Sequence, residues 1–371
     1  MDGKRKVLVY KTEPPSIETV QKRGLGHPDA LCDALAERIS AAYARYCFEQ
    51  FGVLIHYSID GLSMAEGESR VEFGGGEMIK PIRLYLRGYF SAQFMDRKIP
   101  YLDIAKKVIY DYLNMVVPGL NAEKWVRVVD GTQIYGGPRG KYDLSNLVAN
   151  HIYTVSAMYA NSPAENCALR IEQKLNSPIY KQFRPGVSSD NKIVVIQNGN
   201  SADIAAYVSL ISKHIHDADE MRAYIEGIKE DIRGAASTDR VRVDDIEVYS
   251  SVNPLHDGRA LTVTGSSIES FNGCAVARSR YPVYHAAKIY AAVAHQISKR
   301  ITNEENEVAL VSLTSKVGWP ISAPWHTDIN LLSRKGNGIV PPAQSKRIEE
   351  IINDELGKTE ETVNALMYGK A

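Results

Sequence analysis

The chain has 371 residues, 44% hydrophobic and 24% charged, and its 44 Lys and Arg cancel 44 Asp and Glu, for a pI near 7.1. At ~150 residues per domain this makes two to three domain-sized units of ordinary globular composition. Balanced charge argues against a protein that coats nucleic acid or anionic membrane, since both need a basic excess, but it leaves room for a local phosphate pocket.

No stretch approaches the ~20 apolar residues of a membrane helix. The basic start is followed by only four consecutive apolar residues, 7–10, too few for the core of a signal peptide. Cys32, Cys47, Cys167 and Cys274 are scattered with no CxxC pair, which points to a reducing compartment and to neither a disulfide frame nor a zinc site. The expectation is a cytoplasmic protein without nucleic-acid or membrane partners.

In chain order, residues 7–12 read as a strand. Residues 29–51 read as an amphipathic helix, because Leu31, Leu35, Ile39, Tyr43, Tyr46 and Cys47 recur at three- and four-residue steps. Strands at 53–60 and 82–90, a helix at 102–117 and a strand at 125–130 follow. The middle third predicts a helix at 164–175, a hairpin of 192–197 and 202–211 around Asn198-Gly199-Asn200-Ser201, and a charged helix at 217–234. The last third predicts strands at 241–250 and 260–265, a helix at 283–301, a strand at 308–314 and helices at 345–356 and 359–367. This order implies an α+β fold of three similar strand-strand-helix units, with antiparallel or mixed sheets packed on helices. The units are expected near 1–125, 126–235 and 236–371, with discontinuous boundaries.

The most informative segment is Gly24-Leu25-Gly26-His27-Pro28-Asp29. Pro28 suits the first helical position and Asp29 complements the helix dipole. The glycines let the backbone approach a ligand closely, and a helix start attracts phosphate. A carboxylate there makes sense if Asp29 holds Mg²⁺ that bridges phosphate oxygens, with His27 donating to developing charge. A well-capped core helix reads equally from these residues. Gly74-Gly75-Gly76 and Gly136-Gly137 are turns or loops over a site, and neither fits a P-loop or dinucleotide fingerprint. His214 and His216 lack a third metal ligand and read as surface histidines. Arg278 and Arg280 form either a phosphate clamp or a solvated basic turn.

The stretch GLGHPDALCDALAERIS resembles the opening signature of the S-adenosylmethionine synthetases, in their archaeal-type branch. FGVLIHYSID, VEFGGGEMIKPIRLYLRG, ALRIEQKLNS, ALTVTGSSIE and PVYHAAKIY follow in family order, from about residue 17 to about 315. The resemblance implies three related units around a pseudo-threefold axis and a homodimer with shared active sites. It also implies a reaction: methionine sulfur attacks C5′ of ATP and expels triphosphate, which is cleaved to phosphate and pyrophosphate. Mg²⁺ is the implied metal, with K⁺ a further candidate. By the same resemblance, His27, Lys192 and Arg278 are catalytic and Asp29 binds metal. Asp60, Asp143, Asn150, His151, Asp190 and Arg280 then bind substrate.

The departures lie on one side. The family keeps acids where this chain has Gln21, His151 and Asn272, while the phosphate side (His27, Asp29, Lys192, Arg278) is retained. Its arginine loop is altered around Arg278, and a segment with a second phosphate-binding lysine is missing, with Arg280 a partial substitute. Methionine is the default acceptor. A different acceptor in a specialised pathway, and a non-catalytic regulatory homologue, are the competing expectations.

Overall fold

The computed structural model describes residues 6–65, 67–134, 147–159, 161–238, 241–253, 268–269, 285–333 and 338–368. In order these form β1 (Lys6–Thr12), β2 (Ile17–Arg23), α1 (Pro28–Phe51), β3 (Tyr57–Ala65), β4 (Glu68–Glu72), β5 (Gly75–Lys80), β6 (Ile82–Phe90), β7 (Gln93–Phe94), β8 (Arg97–Lys98), α2 (Tyr101–Val116), α3 (Ala122–Trp125), β9 (Val126–Ile134), β10 (Thr154–Met158), α4 (Pro163–Asn176), α5 (Pro178–Phe183), β11 (Val187–Asn198) and β12 (Ser201–Ile211). Then come α6 (Ala218–Ala236), β13 (Arg242–Asn253), β14 (Ile268–Glu269), α7 (Ala286–Glu305), β15 (Val308–Thr314), β16 (His326–Leu332), α8 (Pro342–Gly357) and α9 (Thr359–Met367).

The fold is α+β. Its larger sheets have the strand orders β1-β16-β15-β10, β13-β12-β11-β2-β14 and β3-β6-β9. Each is mixed, with one parallel pair (β1 with β16, β12 with β13, β6 with β9) beside antiparallel ones. Sheet membership crosses the divisions at 125/126 and 235/236. The first 125 residues contribute strands to all three sheets, and β9 completes the sheet begun by β3 and β6.

Helix α1 forms where the apolar spacing predicts it, because Leu31, Leu35, Ile39 and Tyr43 are all buried on one stripe. It ends at Gly52, whose left-handed φ of 68° and N–H bond to the Phe48 carbonyl close the last turn. Tyr43 packs its ring 4.7 Å from Tyr57 and 5.0 Å from Phe90, which ties the helix to β3 and β6. One core joins α1, α2 and α7–α9 to the β3-β6-β9 and β1-β16-β15-β10 sheets. A second gathers α4, α5 and α6 on the β2–β11–β12–β13 strands.

The hairpin around Gly199 forms as predicted, with β11 and β12 antiparallel. Other elements shift. The strand expected at 53–60 begins at Tyr57, because Leu54 and Ile55 are buried in the connection that precedes the sheet. The helix expected from 283 begins at Ala286, because the His285 side chain caps it by accepting the Lys288 N–H. His214 ends a short 3₁₀ turn, and helix α6 starts only after Asp217 has capped it. The strand expected at 260–265 lies outside the described residues.

One ion pair fastens α7 to α1. Lys288 is 4% exposed and its Nζ lies 2.6 Å from Glu37 Oε1. Burial draws the Lys288 ammonium below the ordinary lysine range, with Glu37 opposing. Between the lowered and the ordinary value the unfolded chain holds the proton that the fold gives up. This group therefore adds stability as pH rises through that window. Glu37→Gln is expected to destabilise by about 2 kcal/mol in denaturant melts. That is less than the ~3–5 kcal/mol of a fully buried pair, since Glu37 is 33% exposed.

Candidate active site

Residue order dictates the start of α1. Pro28 occupies the first turn, and His27 caps it with Nδ1 accepting the Asp29 N–H at 3.2 Å. A neutral imidazole accepting at Nδ1 carries its hydrogen on Nε2. The Asp29 carboxylate lies 3.1 Å from Arg23 Nε and 3.9 Å from His27 Nδ1. Arg23 ends β2 immediately before Gly24. It is absent from the residues predicted for the site, although its place beside the glycine-histidine-proline signature is a signal for it.

Gly24 and Gly26 make their close approach to protein. The Gly24 N–H donates to the Asn191 carbonyl at 2.7 Å and the Gly26 N–H to the Ser189 carbonyl at 2.9 Å. A Cβ on Gly26 would lie 2.7 Å from the Ser189 carbonyl carbon, and one on Gly24 would collide with Asn191 Oδ1. The loop before His27 is thus seated on β11, where β2 also pairs with Arg23 opposite Lys192. Sequence-distant residues meet here, with His27, Asp29 and Arg23 on one side and Asp190, Asn191 and Lys192 on the other. Asn191 is fully buried and its amide donates to Asn176 Oδ1 at 3.2 Å.

Other predicted residues sit on other elements. Asp60 is exposed on β3 and accepts the Ser58 hydroxyl at 3.0 Å. It lies at a bulge opposite Gly88, whose φ of 139° and approach to the Ser58 carbonyl leave no room for a side chain. Asn150 and His151 stand at the start of α7. Asn150 Oδ1 accepts the Ala286 N–H at 3.2 Å, and the exposed His151 ring lies 5.4 Å from that of Tyr153. Tyr153 in turn is 4.9 Å from the His285 ring. Through Lys288 and Glu37 this corner is braced against α1. Asp143, Asn272, Arg278 and Arg280 lie outside the described residues.

Among the described residues no group of three or more His, Cys, Asp and Glu is placed to hold a metal. His216 instead pairs with Glu220, Nδ1 to Oε2 at 2.9 Å. Mg²⁺ does not require such a cage, since it commonly takes one or two carboxylates and completes its shell with phosphate and water. The half-buried Asp29 carboxylate fits that mode, and Arg23 beside it fits an anion held alongside. A cavity of about 890 Å³ opens elsewhere, between the β1–β2 connection and the start of α4, lined by Glu13, Glu18, Ser162 and Gln197 among others. Its walls contain none of the His27–Lys192 group.

The family model for S-adenosylmethionine synthetase (AdoMet synthetase) matches residues 5–281 and 275–370. The chain is 28% identical to the S-adenosylmethionine synthase of Hyperthermus butylicus over 98% of its own length and 97% of that relative. It is 27% identical to that of Natronomonas pharaonis (94% and 93% covered) and 26% to that of Thermoplasma volcanium (97% and 96%).

Proposed function

The chain belongs to the S-adenosylmethionine synthetase family, and from that premise we propose that it joins ATP and methionine into S-adenosylmethionine, with the triphosphate gripped at the start of α1. One observation carries this reading. The glycine loop docks on β11, so a helix N-terminus with His27, Arg23 and Asp29 faces the segment that carries Asp190 and Lys192. That combination of oriented N–H groups, cations and a carboxylate suits a metal-loaded polyphosphate.

Attack on saturated carbon by a neutral thioether needs in-line positioning but no base. What the protein must supply is stabilisation of the departing polyphosphate. Lys192 and Arg23 bring fixed positive charge. His27, fixed at the helix start by its Nδ1 cap on the Asp29 N–H, stands beside the developing charge. Asp29 and phosphate oxygens would hold Mg²⁺, which when bound supplies Lewis-acid neutralisation of the leaving group. Asp190 binds the nucleoside, Arg278 and Arg280 extend the phosphate grip, and Asp60, Asp143, Asn150 and His151 complete the substrate site. The partner is a second copy of the chain. Exposed Ile17 on β2, Ile196 on β11 and Tyr249 on β13 lie on one face of their sheet and offer apolar surface for it.

Incubation with Mg-ATP and methionine, followed by mass spectrometry, is expected to yield S-adenosylmethionine. A second reading, the same chemistry with another acceptor, is favoured by His151. This exposed imidazole stands where an acid is expected to face a substrate ammonium. Triphosphate cleavage without S-adenosylmethionine would select that reading. Under the methionine reading, His151→Asp lowers the KM for methionine; an unchanged KM removes His151 from acceptor binding.

A further inference from the structure

The strand that receives the glycine loop is irregular where it does so. β11 pairs Val187 with Leu210 and Asn191 with Val208, so residues 188–190 bulge opposite the single residue Ser209. Four carbonyls of this stretch take donors from outside β12. Those of Ser189 and Asn191 receive Gly26 and Gly24. Those of Val187 and Ser188 both receive Lys181, whose Nζ lies 2.9 Å and 2.6 Å away. Ser188 extends the chain of contacts, because its hydroxyl accepts the Asp190 N–H at 3.2 Å.

We propose that Lys181 is a positioning residue for the active site: it clamps the start of the β11 bulge, next to the carbonyls that hold the glycine loop, and so sets where Asp190, Lys192 and the docked His27 stand. The inference rests on the location of the site given above. Lys181 sits on α5, outside the groups assigned to substrate, and acts only through the bulge. Burial brings its ammonium down to about 7, with Glu172 on α4 opposing. A methionine would fill the same space without that penalty, so the advantage of lysine here is its donors, which hold two carbonyls at once.

The test compares Lys181→Met, which keeps the stem and loses the donors, with Lys181→Arg, which keeps donors. Both are made in the full chain and assayed for product formation and for folded fraction by circular dichroism. Lys181→Met is expected to lower kcat by about 10- to 100-fold, the scale of a catalytic group misplaced by an ångström or less, with a smaller rise in the KM for ATP as Asp190 shifts. Lys181→Arg is expected to recover most of that loss. Wild-type kcat in Lys181→Met overturns the proposal. So does a loss that merely tracks its unfolded fraction, since Lys181 is then structural only. His27→Ala and Lys192→Ala run alongside: if both keep full activity, the location of the site is what fails. If they are crippled while Lys181→Met is normal, only the role of Lys181 fails.

Discussion

Lys192→Ala is expected to lower turnover by about 10²–10³-fold, the loss typical of removing one preorganised group from a developing negative charge. On the proposed reaction the leaving group is a polyphosphate, so the transition state would gather more charge on its bridging oxygen than the ground state does. A fixed ammonium stabilises that difference, and the effect falls on kcat more than on KM. Lys192 stands opposite Arg23 across β2 and β11, so the two cations are expected to act as a unit. The double variant with Arg23→Ala should then lose less than the product of the single losses. Steady-state kinetics on the three variants checks this, and a fully active Lys192→Ala removes the phosphate assignment. Arg278→Ala, on the same reading, loses turnover on the same scale.

Gly26→Ala is the second large effect, and it acts through geometry without altering charge. The added methyl would sit 2.7 Å from the Ser189 carbonyl carbon, and a backbone cannot swing aside as a flexible side chain can. Relief requires the loop to lift from β11, which breaks the 2.9 Å bond from the Gly26 N–H to the Ser189 carbonyl and moves His27 with it. Overpacking of this kind costs about 1–3 kcal/mol, and the displaced cap is expected to lower kcat by about 10²-fold, since misplacement by an ångström suffices. Gly75→Ala is the control, because a methyl there meets nothing within 4 Å. Melting and kinetics that leave Gly26→Ala equal to this control would show the docking to be dispensable.

Much of the architecture was legible. The apolar stripe from Leu31 to Cys47 forecast α1 within a residue, and the Asn198–Ser201 turn forecast the β11–β12 hairpin. Strands β2, β4, β5, β7, β8, β10, β14 and β16 have no counterpart among the predicted elements. In β16 the core face is Thr327, Ile329 and Leu331, so a threonine interrupts the apolar alternation. In β2 the core face runs Val20 then Lys22, a lysine only 7% exposed whose Nζ donates to the Arg23 carbonyl. A buried lysine carries no apolar signal, so the period is invisible until the fold is known. Gly24 and Gly26 show the same limit. Their need for close approach was readable, yet the surface approached is strand β11.

The sequence by itself determined the helix start, its cap, the charges arrayed there and the family, because these depend on residues adjacent in the chain or on ordered motifs. Only the tertiary structure decided that this helix tip is seated on the segment carrying Asp190 and Lys192. It also decided that β1 runs parallel to β16 at the other end of the chain and that Lys288 braces α7 against Glu37. Such pairings join residues far apart in sequence. Their selection depends on which buried faces and backbone donors are satisfied together in the whole fold, a condition that no local preference records.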